Sequence, residues 1–334
     1  MKKITIKDLA EIFHISPHTV SKALNNRPGV SEELRKKIQA KAKELHYVPN
    51  IFGRGLSGKS SRTIGVILSD NTNPAYSLII RGIEQRASEG GYSIILGNSD
   101  EDLATEQRLI TLLVEKHVDG ALIVPANFPE SAHNIKLFQQ HSIPYILMTG
   151  DIPGQKYPCV KANNVLAAYL AGEYLLQTGH ETIIHLSRKQ AVPVAEERIR
   201  GLKDVFAEHQ FHFPDDNLYR QCEVSIESGY TEMLSILKER RDFTAVLAYN
   251  DTVAFGVMMA LHECGVCIPR DVAVVGFDNL TFSQAALVPL TTVDQHLYML
   301  GATAIECLLN ILNGHRDPPC PAMPAPTVVK RQSV

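Results

Sequence analysis

The sequence contains no long hydrophobic run, since no stretch approaches the roughly 18 apolar residues that a transmembrane helix needs. Its first residues, 1–8, include no apolar segment of the signal-peptide type, so no secretory signal is expected. Six cysteines occur among 334 residues, and their spacing follows no disulfide framework. We therefore expect a cytoplasmic protein with reduced thiols and no membrane contact.

Motifs that would indicate an enzyme are also missing from the expected places. No G-x-G-x-x-G or G-x-x-x-x-G-K-[ST] loop joins a predicted strand of the body to the next helix, which argues against a nucleotide-binding enzyme. No G-x-S-x-G turn indicates a hydrolase. Cys264 and Cys267 form a single C-x-x-C without a second cysteine pair, so we expect no zinc site. We predict no catalytic residue, no metal and no cofactor.

Charge is distributed unevenly along the chain. Residues 1–62 contain 13 Lys and Arg against 5 Asp and Glu, a net +8, whereas the other 272 residues contain 20 against 31, a net −11. With 45% hydrophobic residues, the chain is long enough for two or three cores. A small basic head on a larger acidic body is typical of a nucleic-acid-binding protein with a separate sensing domain.

Two short helical patterns stand at the start of the chain. The first is predicted over residues 6–13, and the second begins at Pro17 with its N-cap at Ser16. The three residues between them match the spacing of a helix-turn-helix, whose second helix enters the DNA major groove. A third helix is predicted over residues 31–45. A helical hairpin that packs without reading DNA fits the first two helices equally well.

Residues 50–62 form a link with poor helical propensity, because Gly53, Gly55 and Gly58 each cost about 1 kcal/mol relative to Ala in a helix. From Thr63 onward, short apolar runs alternate with amphipathic stretches, which predicts parallel sheets covered on both faces. The expected fold is an α/β body of two doubly wound parallel sheets. The predicted strands are 64–68, 92–96, 120–124, 145–148, 183–186, 245–248, 272–276 and 326–330. The predicted helices include 76–88, 106–116, 166–177, 199–208, 228–238, 252–263 and 297–313.

Polar residues follow these predicted strands, at the carboxyl ends where doubly wound sheets bind their ligands. We therefore expect a binding crevice there. Asp and Asn at such positions can equally cap helices or form turns, and Asp251 is the clearest candidate for a cap. The residues concerned include Ser69, Asp70, Asn98, Ser99, Thr149, Ser187, Arg188, Lys189, Asn250, Asp251, Asp278 and Asn279.

Short segments in order along the whole chain then resemble one family, the lactose repressor/galactose repressor (LacI/GalR) family of bacterial transcription regulators. These segments are Thr5-Ile-Lys-Asp-Leu-Ala10, Val20-Ser-Lys-Ala-Leu-Asn25, Leu45-His-Tyr-Val-Pro-Asn50, Val118-Asp-Gly-Ala121, Arg198-Ile-Arg-Gly201, Asn250-Asp-Thr-Val-Ala-Phe-Gly256, Val274-Val-Gly-Phe-Asp278 and Pro289-Leu-Thr-Thr-Val293.

The resemblance implies a homodimer that binds a pseudo-palindromic double-stranded DNA operator and a small carbohydrate-like effector. Residues 1–49 would form the helix-turn-helix domain and residues 50–62 a hinge helix with its linker. The body would resemble a periplasmic sugar-binding protein, with one subdomain of residues 63–161 plus 293–322 and another of 162–292 plus 323–334. Because no leucine heptad follows Lys330, we expect a dimer and not a tetramer.

The resemblance also implies DNA-contacting residues. Pro17, His18 and Lys22 would face base edges, where Lys22 can donate to guanine N7 and O6 although most relatives have Arg there. Leu56 would insert between bases from the minor groove. The full predicted set is Thr5, Ser16, Pro17, His18, Thr19, Ser21, Lys22, Asn25, Asn50, Arg54 and Leu56.

Effector-binding positions follow from the same resemblance. Two departures from the family stand out: Thr149 replaces a frequent Asp, and Val224 replaces an aromatic platform. Because Lys161, Arg188 and Lys189 fall near the crevice, the expected effector is a sugar or an anionic sugar phosphate. The predicted set is Ser69, Tyr76, Thr149, Lys161, Arg198, Asn250, Asp278 and Gln295.

Three alternatives stay open at this point. The first is a catabolite-type regulator that takes a phosphorylated protein as corepressor. The second is a sugar-binding protein without DNA function, which the basic head argues against. The third is an enzyme built on the doubly wound body, which the missing catalytic motifs argue against.

Leu56→Ala tests the predicted hinge. We expect this substitution to weaken specific operator binding far more than non-specific binding, because a side chain that wedges into a base step contributes only when the DNA is kinked. Operator and random-sequence affinities measured at one stated salt concentration check this expectation. Equal losses on both DNAs would contradict the wedge role.

Overall fold

The computed structural model describes residues 4–24, 26–47, 60–152, 157–211, 219–315 and 321–334. The chain forms two compact units, Met1–Ser61 and Arg62–Val334. We refer to them as the head and the body. The predictions for Asn25, Asn50, Arg54 and Leu56 lie outside the described residues.

The head consists of three helices, α1 (Ile6–Ile12), α2 (Pro17–Leu24) and α3 (Glu32–Glu44). Helix α1 begins in a capping box in which Thr5 and Asp8 exchange hydrogen bonds. Helix α2 begins as predicted, with the Ser16 hydroxyl accepting from the backbone N–H of Thr19 at 3.2 Å. The predicted helix-turn-helix is thus confirmed.

A small core holds these helices together. One residue from each helix, Leu9, Val20 and Ile38, is fully buried at the centre. Since Val20 and Ala23 face this core, the opposite side of α2 is left to solvent.

The first sheet of the body is entirely parallel in the order β2-β1-β3-β4-β5. In register, Val66 of β1 lies between Leu96 of β2 and Leu122 of β3. The two-residue strand β5 is absent from our predictions because it is too short to give a periodic signal. The strands are β1 (Thr63–Leu68), β2 (Ser93–Asn98), β3 (Gly120–Ile123), β4 (Tyr145–Met148) and β5 (Cys159–Val160).

The second sheet runs in the order β11-β10-β9-β8-β6-β7, with only β11 antiparallel. Our predictions missed β7 and β10. Strand β7 reads Tyr-Arg-Gln-Cys at an edge, and β10 reads Thr-Thr-Val-Asp, so neither forms an apolar run. The strands are β6 (Ile183–Arg188), β7 (Tyr219–Cys222), β8 (Ala245–Ala248), β9 (Ala273–Phe277), β10 (Thr291–Asp294) and β11 (Thr327–Val329).

Helices cover these sheets. Helix α8 begins at Pro193 and not at residue 199 as predicted, because Pro193 suits the first helical turn. The helices are α4 (Ala75–Glu89), α5 (Leu103–Glu115), α6 (Ser131–Gln140), α7 (Asn164–Gln177), α8 (Pro193–Glu208), α9 (Ile226–Glu239), α10 (Asp251–Glu263), α11 (Thr281–Ala285) and α12 (Leu297–Leu312).

Helix α12 returns to the first sheet, where it packs against α4. The two backbones approach so closely that a Cβ atom on Gly301 would lie 2.0 Å from the Ile79 carbonyl oxygen. Strand β10, immediately before α12, belongs to the second sheet through Asp294. The chain therefore crosses between the sheets after Asp294, slightly later than the expected boundary at 293.

Two further expectations concern cysteines and membranes. Cys159, Cys222, Cys264 and Cys267 have free thiols, but Cys307 is disulfide-bonded, so the expectation that all six thiols are reduced is wrong for Cys307. Within the described part of the chain, no helix has both the length and the apolar composition needed to cross a membrane.

Candidate functional site

A cleft lies where the carboxyl ends of both sheets meet. Each sheet reverses its strand order there, beside β1 and β3 in the first sheet and beside β6 and β8 in the second, which is where such folds bind ligands. The cleft is partly open to solvent and contains a cavity of about 90 Å³. Its polar lining residues are Ser69, Asn73, Tyr76, Glu101, Thr149, Asn164, Arg188, Arg198, Tyr249, Asn250, Asp278 and Gln295.

The first sheet contributes a hydroxyl pair to the cleft. Ser69, directly after β1, shares a hydrogen bond of 2.8 Å with the phenol of Tyr76 in α4. Burial raises the pKa of Tyr76, so the phenol stays protonated. Thr149 follows β4 with a left-handed φ of +69°. Phe128 adds an apolar wall and packs against Gly150 so closely that a Cβ on Gly150 would lie 2.7 Å from its ring.

Arg198 is the central group of the second sheet's side. It falls on the buried face of α8, four residues before the core residue Leu202, and only 4% of its surface is exposed. Its guanidinium donates to the Tyr249 carbonyl and, at 2.7 Å, to Gln295 Oε1. It also lies 4.2 Å from the centre of the Phe277 ring. A charge this buried is stable only with such partners.

Asp278 lies opposite this guanidinium, with 3.9 Å between Oδ1 and the Arg198 Nη2. Its backbone is left-handed, with a φ of +104°. Burial is the main cause that raises the pKa of Asp278 to about 7; the nearby Asp251 also raises this pKa, whereas Arg198 and the Asn250 side chain lower it. The carboxyl group therefore changes protonation near neutral pH.

Asp251 is not the helix cap that the sequence indicated. The cap of α10 is Asn250, whose Oδ1 accepts from the Val253 N–H at 3.0 Å. Asp251 is fully buried and accepts hydrogen bonds from the Leu280 N–H and the hydroxyls of Ser283 and Thr292. Burial raises its pKa to about 6. These contacts hold the loop that carries Asp278.

A chain of hydrogen bonds runs from the cleft to the surface. Gln295 donates to Asn164 Oδ1 at 2.8 Å, and Asn164 donates to Glu197 Oε2 at 2.9 Å. Lys161 then pairs with Glu197 at 2.8 Å and Asp151 at 2.6 Å. Lys161 thus lies in a separate surface depression and not in the cleft, so its predicted place there is wrong: its two carboxylate partners hold it outside.

The other cations near the cleft are also paired. Arg188 contacts Glu101 Oε1 at 2.5 Å, while Lys189 points outward and lies 3.8 Å from Glu223. Val224 packs against the core and does not line the cleft. In the described part of the chain, each of the two cations that line the cleft therefore has a carboxyl partner, Glu101 for Arg188 and Asp278 for Arg198.

Seven of the eight predicted effector positions thus come together in one cleft. Prediction missed Glu101, Asn164 and Phe128. Glu101 lies two residues beyond Ser99, which was selected because it follows a predicted strand. Considering the next two residues after that strand would have found Glu101. Asn164 and Phe128 gave no such signal, since they depend on how distant segments meet.

The head presents its predicted DNA-contacting residues in two ways. Ser16, Pro17 and His18 are exposed, and Thr19, Ser21 and Lys22 are half-buried at the surface of α2. Thr5 is exposed but its side chain is engaged with Asp8. On α3, Lys36, Lys37 and Lys41 pair with glutamates of the same helix, and such exposed pairs are weak enough to exchange for phosphates.

One sequence segment outside the sheets matches a phosphate-binding loop pattern. Gly53-Arg-Gly-Leu-Ser-Gly-Lys-Ser60 matches both G-x-G-x-x-G and G-x-x-x-x-G-K-[ST]. Such a loop must follow a strand and open a helix. Here the last described element before it is helix α3 and the next is strand β1, so the match does not indicate a nucleotide site.

Known proteins share both parts of the chain. Residues 5–50 match the family described as bacterial regulatory proteins, lacI family, and residues 173–334 match the periplasmic binding protein-like domain. The HTH-type transcriptional regulator GalR of Salmonella typhimurium is 32% identical over 332 residues, covering 99% of this chain and 96% of the relative. The HTH-type transcriptional repressor PurR of Erwinia tasmaniensis is 31% identical over the same length, covering 99% and 96%.

Solved structures give the same result. A Lac repressor dimer bound to operator and the anti-inducer ONPF superposes with a TM-score of 0.89 at 27% identity, covering 99% of both chains. A complex of the transcriptional regulator CelR with cellobiose has the same fold, with a TM-score of 0.76 at 24% identity, covering 99% of this chain and all of that one. These relatives are regulators and not enzymes.

The raised pKa of Asp278 predicts a pH-dependent stability. In the unfolded chain this carboxyl titrates near 3.8, so the native state binds the proton more tightly. Its contribution to stability is fully present below the unfolded pKa and is lost as the pH rises through about 7. Asp278→Asn cannot ionise. Relative to wild type, we expect its free energy of unfolding to rise by about 2–3 kcal/mol between about pH 5 and pH 8.

Urea unfolding of the ligand-free protein at several pH values measures this difference. The control is Asp204→Asn, which removes an exposed carboxylate from α8 and should keep the wild-type pH dependence. If Asp278→Asn also kept that dependence, Asp278 would not titrate as described.

Proposed function

The chain belongs to the lacI family of bacterial regulatory proteins, and from this membership we propose that its body binds a small, neutral, polyhydroxylated effector that controls operator binding by the head. It is a DNA-binding transcriptional regulator and not an enzyme. We place it in the cytoplasm, where operator DNA is found. The observation that carries the effector proposal is the cleft itself, with fixed polar groups and with a carboxyl partner for each of its cations.

The cleft suits a polyol because it offers donors and acceptors side by side. Arg198 is a pure donor, the Asp278 carboxyl is an acceptor when ionised, and the Ser69 hydroxyl can be either. A sugar hydroxyl also donates and accepts, so such a mixed set can recognise it. Phe128, Val192 and Val194 provide apolar surface beside these groups, as ligand pockets commonly do.

The pairing of charges favours a neutral effector over a phosphorylated one. Arg198 faces Asp278 and Arg188 contacts Glu101, while Lys161 is held outside the cleft. An anion would have to displace one of these carboxylates at a desolvation cost. We therefore prefer a sugar to the sugar phosphate that the nearby cations indicated in the sequence.

Operator binding is assigned to the exposed side of α2. Ser16, Pro17 and His18 stand at its solvent-facing start and Lys22 near its end, the arrangement with which a recognition helix enters the major groove. Because a two-fold axis requires matched half-sites, a pseudo-palindromic operator follows from a dimer.

An exposed apolar surface supports the dimer. Leu287, Phe282 and Met259 are 90%, 65% and 55% exposed, and Leu287 and Met259 line one groove together with Phe255 and Met258. Contiguous exposed apolar residues usually mark an interface. We propose that a second copy of the chain covers this surface.

The body supplies a physical route for control. The hydrogen bonds from Arg198 through Gln295 to Asn164 join the cleft to two segments where the chain crosses between the sheets. An effector that binds one arrangement of these halves better than another shifts their populations. We propose residues 63–161 plus 295–322 and 162–294 plus 323–334 as these halves, and residues 50–62 as the hinge that responds.

The test uses the full-length protein and an operator selected from random DNA. We expect at least one neutral sugar to raise the melting temperature and to change operator affinity about tenfold or more, the usual size of allosteric coupling. Asn250→Ala should keep operator binding but lose the response to that sugar, and Glu223→Ala, outside the cleft, should retain it. Stabilisation by sugar phosphates alone, or sugar binding without any change in operator affinity, would overturn the proposal.

A further inference from the structure

One ion pair spans the cleft from the first sheet to the second. Arg188 is the last residue of β6 in the second sheet, and Glu101 follows β2 in the first. The Arg188 Nη2 and Glu101 Oε1 atoms lie 2.5 Å apart. The two side chains are 15% and 33% exposed, so water only partly screens the pair.

The backbone conformation of residues 100 and 101 places the Glu101 side chain beside Arg188. Asp100 and Glu101 are consecutive non-glycine residues in the left-handed region, with φ values of +55° and +54°. Such conformations are unfavourable for side chains with a Cβ and persist where surrounding contacts impose them. Here the Glu101 N–H donates to the Ser69 carbonyl at 2.8 Å, which ties Glu101 to a residue that lines the cleft.

Arg188 depends on Glu101 for its neutralisation. Its other hydrogen bond goes to the uncharged Gln190 side chain. Its Nε is buried and finds no hydrogen-bond acceptor in the part of the chain that the structure describes. Without the Glu101 carboxylate, the cleft would therefore contain a guanidinium with no counter-charge and with free donor capacity.

We propose that Glu101 is a specificity-determining residue that makes the cleft select uncharged ligands over anionic ones. Its carboxylate accepts from Arg188 Nη2, one of the donors with which a guanidinium would bind a phosphate or carboxylate group. It also repels such a group directly, so discrimination comes from an unfavourable contact with the wrong ligand. This inference rests on the proposed function, in that the cleft must be the ligand site.

The experiment compares Glu101→Gln with wild type, using inorganic phosphate and glucose 6-phosphate as anionic probes and glucose as the neutral one. The control is Glu223→Gln, which removes the same charge from the neighbouring exposed pair with Lys189. Calorimetric titration should show Glu101→Gln binding at least one anionic probe at least tenfold more tightly than wild type does. Glu223→Gln should match wild type.

The substitution Arg188→Gln provides the second part of the experiment. The double variant Glu101→Gln/Arg188→Gln should lose the gain in anion binding, because the freed guanidinium is gone, and circular dichroism checks that each variant is folded. The inference is overturned if Glu101→Gln gains no anion affinity, if Glu223→Gln gains as much, or if the double variant keeps the gain. If no neutral sugar binds wild type, the proposed effector class fails, while the phosphate comparison still decides the role of Glu101.

Discussion

The cleft depends on the contacts that the buried guanidinium of Arg198 makes with its neighbours. A charge removed from water must be paired and hydrogen-bonded, or it destabilises the fold. Its partners, the Tyr249 carbonyl, Asp278 and Gln295, stand at the ends of three adjacent strands, β8, β9 and β10. One side chain from α8 therefore fixes these strand ends relative to one another.

The same constraint extends to the segments that connect the two sheets. Gln295 donates a hydrogen bond to Asn164, and Asn164 donates one to Glu197. Asn164 begins α7 after the chain leaves the first sheet, and Gln295 follows the last strand before α12 returns to it. Hydrogen bonds thus connect the polar groups of the cleft to both crossings of the chain.

Sequence reasoning succeeded where a local rule applied. Strand-end residues such as Ser69, Asn250 and Asp278 could be predicted to converge because parallel strands end at one edge of a sheet. Helix α2 could be predicted from its cap at Ser16 and its Pro17. The fold class followed from the alternation of apolar runs with amphipathic helices.

Sequence reasoning failed where the position of a side chain depends on partners that are distant in the sequence. Lys161 looks like a cleft cation in the sequence, but Asp151 and Glu197 hold it at the surface. Asp251 looks like a cap, yet it anchors a loop about 30 residues away through Leu280 and Ser283. Strand β7 lacks an apolar pattern because it lies at a sheet edge. No local periodicity carries this information.

The most direct test of the account is a crystal structure of the full chain with the neutral sugar that stabilises it most. We expect the sugar in the cleft, with hydroxyls hydrogen-bonded to Arg198 and Asp278 and to Ser69 across from them, and with the pair of Arg188 and Glu101 intact. A sugar bound elsewhere on the body, or in the cleft without contact to Arg198 and Asp278, would contradict the account.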